Sequence, residues 1–144
     1  VADDTDLIDG VAQYLNGLGL VTYDPTGVTG DCFAESMPPT PDTAVVLTLY
    51  DDSTEPDSKL PYDEPRMQVK VRGGPDPRTS RTLCKQIRDV LHGLGPVTLP
   101  DGTELILSVC LQSAPASLGV DDNRRHAHVC NFRLEIVNRT THRS

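Results

Sequence analysis

Apolar residues recur at three- and four-residue spacing near the start of the chain. Between Thr5 and Leu18 they are Leu7, Ile8, Val11, Leu15 and Leu18, which form one stripe on a helix. Asp4 or Thr5 is placed to cap the free N–H groups, and Gly17 and Gly19 supply a left-handed stop. A second stripe holds Leu83, Ile87, Val90, Leu91 and Leu94, with Arg88 on the far side. Asp76 stands at its N-cap, Pro77 at the first helical position, and Gly93, Gly95 and Pro96 end it. The two exits read alike, Leu15-Asn16-Gly17-Leu18-Gly19 against Leu91-His92-Gly93-Leu94-Gly95. A shared stop signal accounts for that match, which is too short to make a repeat protein.

Four runs follow the two-residue period of strands or are apolar throughout. Ala44 to Tyr50 is nearly all apolar and belongs in the middle of a sheet. Arg66 to Arg72 alternates, with Met67, Val69 and Val71 on one face. Leu105, Leu107, Val109 and Leu111 share a face of the third run, and Cys130, Phe132, Leu134 and Ile136 share a face of the fourth. Two one-sided helices with half-polar strands predict an α+β fold: a mainly antiparallel or mixed sheet with both helices packed on one face. The other face is then wet or meets a neighbour. The chain reads as a single domain over residues 1–144, with a flexible tail from about 138 to 144. Long polar connections, Asp51 to Glu64 and Ser113 to Arg125, join the strands, and loops of this length usually have a task.

Composition narrows the function. The net charge of −8 opposes general nucleic-acid binding, which relies on Lys and Arg at phosphates. No stretch approaches the roughly 20 apolar residues of a membrane span. The start, Val1-Ala2-Asp3-Asp4, lacks the basic and apolar regions of a signal peptide, so a soluble cytosolic product is expected. Cys32, Cys84, Cys110 and Cys130 form no C-x-x-C pair and are expected as buried free thiols.

Candidate chemistry is sparse. His126 and His128 share a strand face, but no third metal ligand is near in sequence, which favours a polar strand start. His92 lies at a helix exit, where a dipole contact explains it. There is no G-x-S-x-G elbow, Arg72-Gly73-Gly74-Pro75 lacks the ending of a phosphate loop, and Asp121-Asp122-Asn123 lacks the spacing of a calcium loop. No catalytic, cofactor-binding or metal residue is predicted. The expected contacts with partners are Asp51, Asp52, Glu55, Asp57, Asp63 and Glu64 in the acidic connection, and Asp121, Asp122, Arg124 and Arg125 in the later one.

Several landmarks occur in order: Asp6-Leu7-Ile8-Asp9-Gly10-Val11-Ala12, then Met37-Pro38-Pro39-Thr40-Pro41-Asp42-Thr43-Ala44-Val45, then Met67-Gln68-Val69-Lys70-Val71-Arg72-Gly73. Asp89-Val90-Leu91-His92-Gly93-Leu94 and Ser117-Leu118-Gly119-Val120-Asp121 follow, before Asn131-Phe132-Arg133-Leu134. Together they resemble the tail terminator proteins of long-tailed bacteriophages, also labelled minor capsid or tail completion proteins. The resemblance covers nearly the whole chain. It implies a mixed helix-and-sheet virion protein, assembled in the host bacterial cytoplasm, without enzyme activity or cofactor. It also implies a six-membered ring at the head-proximal end of the tail tube, whose partners are itself, the tube protein and the head-tail connector or stopper. DNA would pass through the ring without specific binding. Another neck component shares this profile, and a small enzyme with an unrecognised site is the alternative of a different class.

Overall fold

In a computed structural model the described residues are 6–144. The expected caps Asp4 and Thr5, and the acidic start, lie outside them. Helix α1 spans Leu7–Gly17, and its N-cap is Asp6, whose carboxylate accepts the N–H of Asp9 at 3.3 Å. Leu7, Ile8, Val11 and Leu15 are buried, whereas Leu18 is 49% exposed at the cap position, outside the stripe. Gly10 sits in mid-helix, where glycine costs stability, because a Cβ there would lie 2.1 Å from Asp101 Oδ1. Its bareness lets α1 seat against the Pro100-Asp101-Gly102 turn.

Helix α2 spans Pro77–Leu91, with Asp76 as N-cap and Pro77 opening the helix. Its buried line is Ser80, Cys84, Ile87 and Leu91, while Leu83, Val90 and Leu94 flank the core half-buried. The exits do not stop at equivalent residues. In α2 the left-handed residue is Gly93 (φ 84°), but its counterpart Gly17 is still helical, and Gly19 (φ 78°) stops α1. Arg88 is not free on the far side, since its Nε donates to the Gln112 carbonyl at 3.0 Å.

The strands are β1 (Cys32–Ala34), β2 (Ala44–Tyr50), β3 (Tyr62–Asp63), β4 (Arg66–Arg72), β5 (Val97–Thr98), β6 (Glu104–Cys110), β7 (Ala116–Val120) and β8 (His126–Val137). They form one sheet in the order β1-β2-β4-β8-β6-β5. β1 runs parallel to β2 and the other pairs are antiparallel, which makes the sheet mixed. β8, 12 residues long, is its spine. On one side it pairs with β4 and then β3; on the other with β7 and then β6. Both helices pack on one face, against a core of Val45, Leu47, Met67, Val69, Val71, Cys130, Phe132 and Leu134.

The third run departs from its expected phase. A bulge between Leu105 and Leu107 inserts one residue, so Leu105, Ser108 and Cys110 are buried while Leu107 and Val109 turn outward. Leu111 lies beyond the strand and is exposed. The connection expected from Ser113 to Arg125 contains β7, every residue of which is exposed. All four cysteines are buried free thiols.

The face away from the helices is not uniformly wet. Phe33, Val46 and Val129 are buried there, and Arg72 turns to the same side. Its guanidinium donates to the carbonyls of Pro38, Pro41 and Asp42 at 2.6–3.0 Å, folding residues 38–42 over that end of the sheet. Prolines have no N–H, so this segment cannot join a ladder and its carbonyls need outside donors.

Candidate functional site

The acidic connection is built from local turns. The carboxylates of Asp51 and Asp52 accept the N–H groups of Ser53 and Thr54, at 3.0 and 3.1 Å. Asp57 Oδ1 accepts from Lys59 and Leu60, both at 2.7 Å. These are Asx turns, the arrangement that short acidic side chains favour in loops. Arg66 adds Nε and Nη2 contacts to Asp52 Oδ2 at 3.0 and 2.6 Å. Backbone N–H groups hold the Asp57 carboxyl below its usual range, and the Thr54 N–H, then Arg66, do the same for Asp52.

The end of the chain folds back onto this connection. Arg143 makes a forked pair with both oxygens of Asp63, at 2.8 and 2.9 Å, and donates to the carbonyls of Leu60 and Tyr62. The Asn138 side chain also reaches Asp63 at 2.9 Å, and its N–H bonds to the Pro61 carbonyl. Arg143 thus holds the Asp63 carboxyl low. Tyr62 donates to Glu64 at 2.5 Å, and burial followed by that contact pushes its phenol up. The segment after Val137, read from sequence as a tail, carries all of the Arg143 and Asn138 contacts.

Between the connection, the start of α1 and the end of β8 lies an open groove of about 890 Å³. Leu7, Leu49, Ile136 and Val137 give it an apolar lining. All six acids expected as contacts, Asp51, Asp52, Glu55, Asp57, Asp63 and Glu64, line it as well.

The second expected group lies at the opposite end of β8. Asp121 turns the β7–β8 hairpin by accepting the N–H groups of Asn123 and Arg125, each at 2.9 Å, and pairs with Arg125 Nε at 2.8 Å. These contacts, led by the Arg125 N–H, lower its carboxyl. Arg125 is only 9% exposed and also donates to the Pro39 carbonyl at 2.6 Å, so its guanidinium is occupied within the chain. Asp122 and Arg124 are exposed at the hairpin tip. Leu118 and Val120, 53% and 56% exposed, leave an apolar edge along β7.

His128 and His92 serve the fold. His128 is buried with Nδ1 2.7 Å from Ser80 Oγ, which ties β8 to α2; burial, then Arg81, lowers its pKa. His92 Nδ1 accepts the Cys110 N–H at 2.9 Å, so its ring nitrogen is bound to β6 and not to the helix carbonyls. Among the described residues no group of His, Cys, Asp and Glu is arranged to hold a metal, and no helix is long and apolar enough to cross a membrane.

Sequence reasoning missed Arg66, Arg72 and Arg143, the cations that organise both loop regions. The signal was indirect. A connection with six acids and only Lys59 needs counter-charges from elsewhere, and Pro38-Pro39-Thr40-Pro41 needs donors.

The family described as "Bacteriophage tail terminator protein" matches residues 14–138. A solved chain from the virion of a native gene transfer agent (GTA) particle shares the fold, with a TM-score of 0.60 at 17% identity. The match covers 92% of this chain and 95% of that one. No curated protein matches in sequence.

Proposed function

Since this chain belongs to the bacteriophage tail terminator protein family, we propose that it forms a ring of six copies that closes the head-proximal end of a phage tail tube. It is a structural protein of the virion tail. The ring ends tube growth and offers its other side to the head-tail connector or stopper, after assembly in the host cytoplasm. The observation that carries this reading is the family match, which runs through nearly every element from α1 to β8.

The geometry supports a binding role over a catalytic one. The polar side chains that a chemist would first suspect are spent on turns, caps and strand ties: Asp57 on its own loop, His128 on Ser80, His92 on β6. The exposed surface includes an acid-lined groove at one end of β8 and a hairpin with an apolar edge at the other. Both suit contacts with other proteins. With −8 per copy, such a ring repels phosphate and lets DNA pass without adhering.

Electron microscopy of the virion neck tests the proposal. Six copies of this chain between tube and connector are expected, each contact burying more than about 1,000 Å². A single copy, or a position elsewhere in the particle, removes it.

A further inference from the structure

We infer that neighbouring copies in the ring meet head to tail, the groove beside residues 51–64 of one copy receiving the outward face of α2 of the next. This rests on the ring proposed above and names the surfaces that meet. The groove combines an apolar lining with an acidic rim, so its occupant must offer cations on an otherwise packable surface. The outward face of α2 has that character. Arg78, Arg81 and Lys85 fall three and four residues apart on one exposed side, interleaved with Thr82. The first turn holds no acid, although the positive end of a helix favours one. Arg78 pairs with Asp76 and Lys85 with Asp89, while Arg81 joins none of the ion pairs among the described residues. On the groove side, Glu55 is likewise in none of them, and among the described residues Glu64 bonds to the Tyr62 hydroxyl alone.

The two surfaces cannot satisfy each other within one chain. α2 begins over His128, bonded through Ser80, and the acidic connection joins β8 at Ile136 through Asp63. Lys85 follows Cys84, whose Sγ lies 3.6 Å from that of Cys130, and Cys130 and Ile136 are about 20 Å apart at about 3.3 Å per residue. Complementary patches at separate places on a protomer give a heterologous contact, which closes into a ring when the rotation allows. Duplex DNA is the competing anion for α2, but the acids of the groove would then remain without a partner and the net charge of the chain opposes it.

Charge exchange tests this in assembled tails. One variant carries Arg81→Glu and Lys85→Glu, the other Glu55→Lys and Glu64→Lys, and each is expected to melt like the parent. Each alone should lower the yield of completed particles about tenfold or more, because like charges then face each other. All four changes in one chain, or co-expression of the two variants, should restore the yield to within about threefold of the parent. Should a reversal fail to fold, the milder Arg81→Gln with Lys85→Gln is used, with a smaller loss expected. Zero-length carbodiimide cross-linking of parental tails should join Lys85 to Glu55 or Glu64, a link too long to form within one copy. Parental yields for both reversals, no rescue by the four-site chain, or absence of that cross-link overturns the interface. So does a helix reversal whose main effect is loss of binding to short duplex DNA. If parental particles hold no ring of this chain, the functional reading fails first, and the neck reconstruction shows that independently.

Discussion

Replacing Ile87 by alanine probes the contact on which the two-layer architecture depends. Ile87 is fully buried, third in the line Ser80, Cys84, Ile87, Leu91 that α2 lays on β8, β4 and β6. The substitution removes three carbons, worth about 2.4 kcal/mol at about 0.8 kcal/mol each. The sheet below is tied by ladders on both sides of β8 and cannot collapse into the space, so a cavity term adds to this and the total approaches about 4 kcal/mol. For a domain of this size that lowers the melting temperature by about 10 °C or more. The assay is a thermal melt followed by circular dichroism, with Thr82→Ala on the exposed face as the control and Val90→Ala, half-buried, expected between them. A melt within about 2 °C of the parent for Ile87→Ala would refute both the helix phase and the burial on which it rests.

Other substitutions test separate features. Gly95 has φ 131°, and a Cβ there would lie 2.2 Å from the Ile106 carbonyl oxygen, so Gly95→Ala should cost more than about 2 kcal/mol in a denaturant titration. Ser108 is fully buried with no partner for its Oγ among the described residues, and Ser108→Ala should leave stability unchanged or raise it by up to about 1 kcal/mol in the same titration. Arg143 depresses the Asp63 carboxyl in the folded state, so their contact contributes fully above the unfolded value of about 3.9 and is lost as pH falls through the lower folded value. The protection of amides at residues 138–144, measured against the unstructured exchange rate at the same pH, should therefore fall only in that acid range, and Arg143→Ala should leave it low and flat there.

Long elements were legible because they bury one face and repeat the pattern often enough to fix its phase. The limits of β2 and β4 are the expected Ala44–Tyr50 and Arg66–Arg72, and α2 begins at the expected cap. Short strands were not. β1, β3 and β5 hold two or three residues each and owe their conformation to the neighbour they pair with, which no local pattern records. β7 escaped because all five residues are exposed and Gly119 interrupts it, leaving no alternation to read. The bulge at Ile106 defeated a correct rule: two-residue counting from Leu105 holds only while the ladder keeps register. The acids expected as contacts gathered in one groove because they share a connection, whereas Arg143 joined them through a fold-back that only tertiary structure supplies.

The placement of β8 has a mechanical consequence. One strand of 12 residues is bonded along both flanks, to β4 and β3 on one side and to β7 and β6 on the other. Ladder bonds lie across the strand, so tension applied along β8 loads many of them in shear at once, and none can break until the rest have stretched. Tension applied at the free side of β7 instead peels its short ladder one pair at a time. The same protomer is therefore stiff along its spine and compliant at the hairpin.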